Sequence, residues 1–370
     1  MPSTRDRDAL NSQWNGRRAS LSVCIATHER PMLLSKTLEA LALQAEPPWE
    51  IVISDSSVST ETSALVEEFA HSHPGLRTRR VASRRSALPW QRWWAFSHSQ
   101  GDIVLFLDDD VELQSEALQV LLQSYETLGL QGTKERVAGV GYVMSFPDNS
   151  RKERRPSSFE ERWLKTSNLP SASVLPGGST IPPKLGQSDG PVRVQRLCGG
   201  AMSFRREVLE KIGPLERLFK LYEDRLGRGE DAVLSWHASH YGPLFIVTEP
   251  LAIHPSDELA TCSPYAVAGW RLGMTETWGR AHTMRWMANT RSALWFEWWR
   301  VATLEILRAL WWGVRRRPWV WLNWTRLAGA LFGSGLAVMK WPSIPDCAYL
   351  PRATTERDQS KIGYLTRSTG

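Results

Sequence analysis

Short apolar runs alternate with amphipathic stretches over residues 21–145 of this 370-residue chain. We predict strands at 21–27, 50–54, 76–82 and 103–107. We predict four helices: one that begins at Pro31, and three at 60–72, 86–99 and 114–128. The run at 103–107 is apolar throughout, which is typical of a strand covered on both faces. The alternation predicts an α/β domain whose sheet is mixed, mostly parallel and flanked by helices.

The composition changes at several points along the chain. Residues 147–192 are rich in Pro, Ser and Gly, so we expect a long loop there. We divide the chain into a disordered tail at 1–20, an α/β domain at 21–258, a Trp- and Arg-rich α-helical extension at 259–341 and a flexible tail at 342–370. The charged N-terminus has no apolar core and the four cysteines lie far apart, so we expect a cytoplasmic protein.

Charge and tryptophan are concentrated in one window. Twelve of the 19 tryptophans lie between Trp270 and Trp341, where the net charge is +8, whereas the whole chain has a net charge of +6. The basic excess therefore belongs to this window, and we expect no nucleic-acid partner. Interleaved Trp and Arg on helices are typical of a membrane interface, which predicts peripheral contact through 284–339 on the inner face of the cell membrane. The alternative is a soluble helical cap packed on the α/β domain.

Three adjacent carboxylates, Asp108, Asp109 and Asp110, follow the apolar strand at 103–107. Open α/β sheets bind ligands at the edge where such strands end. Neighbouring carboxylates repel one another, and a chain tolerates them most readily in solvent or around a cation. Mg²⁺ and Mn²⁺ bind carboxylate oxygens and often share their coordination with substrate phosphates. The pattern favours a divalent-cation site over its alternative, a solvated turn that caps the next helix.

Two further places carry candidate chemistry. Glu230 and Asp231 precede an amphipathic stretch, where acidic residues also serve as helix caps. Asp231 is our candidate general base for an acceptor hydroxyl, and Glu230 would then contact the acceptor or cap the helix. His254 follows an apolar, strand-like run, so it is expected at a sheet edge where its imidazole can complete a metal shell.

Six motifs occur in one order: VCIATHER, EIVISDSS, LPWQRWWAF, GDIVLFLDDDVEL, CGGAMSFRREVLEKIG and GEDAVLSW. In this order they resemble the family 2 glycosyltransferases, inverting enzymes of the GT-A fold that use nucleotide-diphosphate sugars. The resemblance covers about residues 20–255. It implies a GT-A-like fold and a single displacement at the sugar. The processive members carry a Gln-x-x-Arg-Trp signature after the base; none stands in a suitable place here, which favours transfer of a single sugar.

Carried over position by position, the resemblance implies the roles of the candidate residues. Nucleotide-sugar contacts are expected at Ala26, Thr27, Glu29, Asp55, Ser56, Arg92, Asp108, Asp109 and Gly200, metal ligands at Asp110 and His254, the catalytic base at Asp231 and an acceptor contact at Glu230. In the family, a pair of acidic residues holds the base of the nucleotide. Only the first of these two positions is acidic here, because Ser56 follows Asp55.

The sequence thus predicts a metal-dependent inverting glycosyltransferase that uses Mn²⁺ or Mg²⁺. The expected acceptor is a hydroxyl of a glycan or lipid-linked molecule, as in cell-surface polysaccharide biosynthesis. One alternative is a nucleotidyltransferase or nucleotide-sugar hydrolase, which needs no acceptor base. Another is a non-catalytic membrane- or glycan-binding protein with a degenerate transferase domain.

Overall fold

A computed structural model of the chain describes residues 18–130, 136–145, 190–224, 227 and 229–254, with isolated positions and one short run between 299 and 333. Four predicted segments lie wholly or mostly outside the described residues: 1–17 of the N-terminal tail, the C-terminal tail at 342–370, most of the loop at 147–192 and most of the extension at 259–341. In the described part of the chain, no helix is long and apolar enough to cross a membrane.

Strands and helices alternate as predicted through the first half of the described chain. The strands are β1 (Leu21–Thr27), β2 (Glu50–Asp55), β3 (Thr78–Ala82), β4 (Ile103–Asp108), β5 (Glu112–Leu113), β6 (Gly139–Ser145), β7 (Val192–Val194), β8 (Ala201–Arg205) and β9 (Leu244–Ile253). The helices are α1 (Pro31–Ala42), α2 (Glu61–Ser72), α3 (Leu88–Ser97), α4 (Ala117–Leu130), α5 (Arg206–Ile212), α6 (Glu216–Glu223) and α7 (Glu230–Ser239).

The described strands form one mixed sheet in the order β3-β2-β1-β4-β8-β6-β9-β5, with β7 paired to β9. Strands β1 to β4 are parallel to one another. Strand β8 runs antiparallel to both β4 and β6, while β6 and β9 are parallel. The predicted α/β class, a central sheet flanked by helices, is confirmed.

Two apolar layers cover the faces of this sheet, because side chains alternate between faces along each strand. On one face, Ile25 of β1 and Leu105 of β4 pack with residues of α1, α2 and α4. On the other face, Cys24 and Phe106 pack with residues of α3, α5 and α7. Both faces are buried, which explains the continuous apolar runs of β1 and β4.

Some element boundaries differ from the sequence prediction. The helix expected from residue 114 begins at Ala117, because Glu112 and Leu113 pair with β9 and the amide of Gln114 donates to the carbonyl of Leu251. Strand β5 and helix α6 were not predicted. A two-residue strand has too few positions to show a period, and α6 is only eight residues long.

Candidate active site

The ends of the parallel strands meet at one edge of the sheet. Thr27 is opposite Asp55 in the β1–β2 register, and Ala26 is opposite Asp108 in the β1–β4 register. The antiparallel strand β8 begins at the same edge, where the amide of Asp108 donates to the carbonyl of Gly200 at 3.0 Å. The parallel register therefore places the acidic turn 108–110 beside the loop that follows β1.

Asp109 points into the protein from this turn. Its carboxylate accepts a hydrogen bond from Oγ1 of Thr27 at 2.7 Å and one from Nη1 of Arg30 at 2.9 Å. Burial raises the pKa of Asp109 to about 6, although Thr27 and Arg30 oppose this rise. Asp109 thus holds the turn against β1 and the start of α1. Its neighbours Asp108 and Asp110 have more exposed side chains.

Asp110 faces two partners of different chemistry. Its Oδ2 lies 3.2 Å from Nη1 of Arg30, and its Oδ1 lies 3.4 Å from Nε2 of His254. Oδ1 is buried and accepts no hydrogen bond from the described residues. An unsatisfied carboxylate oxygen beside an imidazole nitrogen suits Mn²⁺ or Mg²⁺, which need only one or two protein ligands when phosphates and water supply the rest.

The residues present therefore fit a divalent cation, but they do not form a complete protein cage. Among the described residues, no group of three or more His, Cys, Asp or Glu side chains is arranged to hold a metal ion. Arg30 also places its positive charge between Asp109 and Asp110. A cation bound at this turn would have to compete with the guanidinium for the Oδ2 atom of Asp110.

Arg92 of α3 lies beneath the site and is only 3% exposed. Its Nη2 donates to Oδ1 of Asp108 at 2.6 Å and to the carbonyl of Gly199 at 2.7 Å, and its Nη1 donates to Oε1 of Glu230 at 3.1 Å. Burial alone would lower the pKa of Arg92, but the charges of Asp108 and Glu230 outweigh it and the net shift is upward. Arg92 thus links the acidic turn to the start of α7.

Glu230 is held on both sides of its carboxylate. Oε1 accepts from Arg92, and Oε2 accepts a hydrogen bond from the hydroxyl of Tyr222. Burial raises the pKa of Glu230, the charge of Asp231 adds to the rise, and Arg92 opposes it. Both oxygens therefore have protein partners, so Glu230 helps to order the site, and its expected acceptor contact stays a prediction.

Asp231 is 6% exposed at the start of α7. Nη2 of Arg196 lies 2.8 Å from its Oδ1 and 2.7 Å from its Oδ2. The amide of Gly199 donates to Oδ2 at 3.2 Å, and the amide of Ala232 donates to Oδ1 at 2.8 Å. Asp231 is thus a fixed, charge-paired carboxylate one peptide away from the Arg92 network.

Gly199 and Gly200 allow this close packing of backbone against acids. A Cβ atom on Gly199 would lie 3.1 Å from Oε1 of Glu230 and 3.3 Å from Oδ2 of Asp231. A Cβ atom on Gly200 would lie 3.3 Å from the Cε and Sδ atoms of Met144. Side chains at either position would crowd the loop that carries Arg196 and the acids of α7.

The loops after β1 and β2 form the other half of the edge. Asp55 is 1% exposed, and it accepts hydrogen bonds from the amide of Ser57 and from Nε of Arg80. Oγ of Ser56 lies 3.1 Å from Nδ1 of His28. Asp55 and Ser56 are the residues for which the resemblance implies contact with a nucleotide base. Both carboxylate oxygens of Asp55 already accept hydrogen bonds within the protein.

Glu29 joins the same two loops. Its backbone is left-handed, with φ of 54°, and its Oε1 accepts hydrogen bonds from the amides of Val58 and Ser59. The bond from Val58 is the main reason why the pKa of Glu29 is lowered. The structure therefore gives Glu29 a part in ordering the β2–α2 loop, and its expected nucleotide contact stays a prediction.

Three side chains at the site were not predicted from the sequence: Arg30, Arg196 and Tyr222. Arg30 is the last residue of the motif VCIATHER but was given no role, and Arg196 stands two residues before Cys198-Gly199. Arginine is common on protein surfaces, so neither has a spacing that marks it. Only the fold brings Arg196 onto Asp231 and Tyr222 onto Glu230.

A carboxylate turn at the end of a parallel strand lies at the edge where open α/β sheets bind ligands. The family model described as glycosyl transferase family 2 matches residues 22–213, just over half of the chain. The chain belongs to this family, and the predicted resemblance is confirmed.

Two curated relatives match shorter segments. Protein CgeD of Bacillus subtilis (strain 168) is 27% identical over 118 residues, which cover 28% of this chain and 26% of CgeD. The GalNAc(5)-diNAcBac-PP-undecaprenol beta-1,3-glucosyltransferase of Campylobacter jejuni is 29% identical over 103 residues, which cover 28% of this chain and 33% of that enzyme. The matched region thus spans only a quarter to a third of these relatives.

Among solved structures, the chain is similar to the mannosyltransferase PcManGT from Pyrobaculum calidifontis, which was solved in complex with GDP-Man and Mn²⁺. The identity is 17% and the TM-score is 0.49, and the match covers 98% of this chain and 86% of that one.

Proposed function

We propose that this protein is an inverting glycosyltransferase that moves a single sugar from a nucleotide-diphosphate sugar to a hydroxyl of a glycan or lipid-linked acceptor. The observation that carries the proposal is the connection between two acidic centres. Asp108 in the acidic turn and Asp231 on α7 are joined through Arg92 and the peptide of Gly199. Donor-side and acceptor-side carboxylates therefore belong to one rigid edge of the sheet.

On the donor side, Asp110 and His254 are the residues that would hold Mn²⁺ or Mg²⁺. When bound, the cation would stabilise the charge on the departing nucleoside diphosphate. Asp109 keeps the turn in place through Thr27 and Arg30. Because the Arg30 side chain is half exposed, it could turn from Asp110 and donate to a phosphate oxygen of the donor.

On the acceptor side, Asp231 would act as the general base. One of its oxygens takes the proton of the acceptor hydroxyl while the hydroxyl oxygen forms a bond to the anomeric carbon. The bond between that carbon and the diphosphate oxygen breaks on the opposite face, and its electron pair leaves with the nucleoside diphosphate. A single displacement of this kind inverts the anomeric centre and needs no second nucleophile.

A lipid-linked acceptor is supported by two separate observations. The Campylobacter jejuni relative is named for an undecaprenol-linked substrate. Within the described positions after 298, Trp299, Leu307, Leu331 and Phe332 are each about half exposed. Exposed apolar side chains in a Trp- and Arg-rich segment are typical of proteins that contact a membrane surface. We therefore include peripheral membrane contact through 284–339 on the cytoplasmic face in the proposal.

The rival functions differ in what Asp231 must do. A nucleotide-sugar hydrolase or a nucleotidyltransferase shares the cation and diphosphate chemistry but needs no base for an acceptor hydroxyl. A non-catalytic glycan-binding protein needs neither. The paired and buried Asp231 favours sugar transfer, because an acid that only capped α7 would not need the Arg196 contact.

A panel of nucleotide-diphosphate sugars tests the proposal. Each donor is added with Mn²⁺ or Mg²⁺, and its binding is measured as an increase in melting temperature. Release of nucleoside diphosphate is then followed with and without lipid-linked or glycan acceptors. We expect one donor class to stabilise the protein only with the cation, and acceptor to accelerate release. Release that no acceptor accelerates would favour hydrolysis, and the absence of any donor binding would contradict the proposal.

A further inference from the structure

Arg196 contacts both oxygens of the carboxylate that we assign to the acceptor proton. One nitrogen, Nη2, lies 2.8 Å from Oδ1 and 2.7 Å from Oδ2 of Asp231. Together with the amides of Gly199 and Ala232, this gives the carboxylate four contacts to donors. A buried carboxylate with this many donors is held in one orientation.

The contact is one of three that join the loop 196–199 to the start of α7. The amide of Leu197 donates to Oγ of Ser235 at 3.0 Å, and the amide of Gly199 donates to Asp231 at 3.2 Å. These two bonds come from the backbone and need no particular side chain in the loop. The side chain of Arg196 therefore adds charge and orientation to a loop that is already docked.

The charge of Arg196 matters because acids surround Asp231. Glu230 is its neighbour on α7, and Asp108 lies beyond the Gly199 peptide. The positive partners in this cluster are Arg92, which already serves Asp108 and Glu230, and Arg196, which serves Asp231. Without Arg196, two adjacent buried carboxylates would share the single guanidinium of Arg92 and would repel each other.

The remaining titratable groups near Asp231 do not replace this charge. Burial raises the pKa of the Cys198 thiol to about 11, and the charge of Asp231 adds to that rise. Burial and the charge of Glu230 raise the pKa of the Tyr222 hydroxyl well above its usual value. Both groups are therefore neutral and supply no counter-charge for the base.

We propose that Arg196 is a positioning residue that pairs with Asp231 and holds its carboxylate in the correct rotation until an acceptor hydroxyl takes over one carboxylate oxygen. The inference rests on the proposed function, because it assumes that Asp231 is the base. It adds Arg196 to the residues that catalysis requires, beyond the acidic pair Glu230 and Asp231. Asp231 can act as the general base only when the guanidinium of Arg196, from the loop before β8, is paired with it.

The test compares Arg196→Gln and Arg196→Lys with Arg193→Gln, which removes an exposed arginine from β7 in the same segment. We expect Arg196→Gln to lower kcat for sugar transfer on the order of 10²-fold, because a base that is slightly displaced loses about this much. Donor affinity should change little, since the backbone bonds of the loop remain. The melting temperature should fall because a buried carboxylate loses its charged partner, but the protein should stay folded at the assay temperature. Arg196→Lys should recover part of kcat, and Arg193→Gln should behave as the unchanged protein.

A second readout separates positioning from a merely structural role. Dilute guanidinium should restore part of the transfer rate of Arg196→Ala, whereas an equal concentration of sodium chloride should not. Unchanged kcat in Arg196→Gln would overturn the inference, as would a loss of kcat that follows a loss of folding and that guanidinium cannot repair. If the unchanged protein transfers no sugar at all, or Asp231→Asn transfers it normally, it is the proposed function that has failed.

Discussion

The Nη1 atom of Arg92 lies 3.1 Å from Oε1 of Glu230, although the two residues are 138 positions apart in the sequence. This contact joins helix α3, which packs under the parallel strands, to helix α7, which carries the candidate base. Arg92 also binds Asp108, so one buried guanidinium serves two carboxylates from different parts of the chain.

Replacing this guanidinium should destabilise the whole domain. Arg92→Met leaves Asp108 and Glu230 without their shared counter-charge, and breaking a buried ion pair typically costs about 3–5 kcal/mol. We expect the free energy of unfolding in urea to fall by that amount. Arg84→Gln, which removes an exposed arginine from the loop before α3, is the control and should change stability by less than about 0.5 kcal/mol. A loss of similar size in both variants would mean that the network contributes no stability.

Cation-dependent donor binding should depend on Asp110. In calorimetry with a nucleoside diphosphate, Asp110→Asn should lose at least about tenfold of the affinity that Mn²⁺ adds, because a direct carboxylate ligand is removed. Binding without Mn²⁺ should change little. Glu112→Gln removes a carboxylate two residues away and is the matched control. An Mn²⁺ effect that is equally strong in Asp110→Asn would place the cation elsewhere.

His237 should make stability depend on pH. Burial lowers its pKa to about 4, with the charge of His240 adding to the shift, so the folded state keeps the neutral imidazole where the unfolded chain is protonated. Stability is therefore complete above about pH 6.5 and falls as the pH decreases towards 4, by up to about 3 kcal/mol. His237→Gln should flatten the curve of unfolding free energy in this window. The exposed His240→Gln should leave most of it, and an unchanged curve in His237→Gln would refute the assignment.

Membrane contact should depend on apolar side chains in the C-terminal segment. The double variant Leu331→Ser/Phe332→Ser removes two half-exposed apolar groups and should reduce sedimentation with anionic liposomes. High salt should weaken binding of the unchanged protein through its basic component. Met32→Ser/Leu43→Ser removes equally apolar, exposed groups from the α/β domain and should bind as before. Equal binding by all three proteins would show that these residues do not contact lipid.

The sequence is sufficient to predict the parallel half of the sheet, because the continuous apolar runs of β1 and β4 alternate with amphipathic helical stretches. Strand β4 ends at Asp108 and strand β1 at Thr27, so their shared edge follows from the parallel order alone. The antiparallel insertion of β8 between β4 and β6 does not follow from it. That arrangement carries Gly200 to the acidic turn and Arg196 to Asp231.

The acidic residues of the candidate site can be predicted from the sequence, but the arginines that pair with them cannot. Asp108, Asp110 and Asp231 stand out because carboxylates at strand and helix ends have a known chemistry. Arg30 and Arg196 do not stand out, because the sequence gives no sign of which acid an arginine will meet. Their contacts arise from the packing of loops that are distant in sequence, and a single chain carries no pattern for such contacts.

The most direct test of the account is the sugar-transfer rate of Asp231→Asn at saturating donor and acceptor. The substitution keeps the shape of the side chain and removes the base. Donor affinity should stay close to that of the unchanged protein, and the rate should fall by about 10²–10⁴-fold. Asp224→Asn, which removes an exposed acid at the end of α6, should transfer sugar normally.

Because Asp231→Asn leaves Arg196 without its counter-charge, the double variant Asp231→Asn/Arg196→Gln is measured alongside it. The double variant restores the local charge balance and should fold stably while remaining equally inactive. The account predicts a stable protein that binds the donor and does not transfer the sugar. A stable Asp231→Asn protein that still transfers sugar at more than about a tenth of the original rate would contradict the account, since loss of a general base costs more than that.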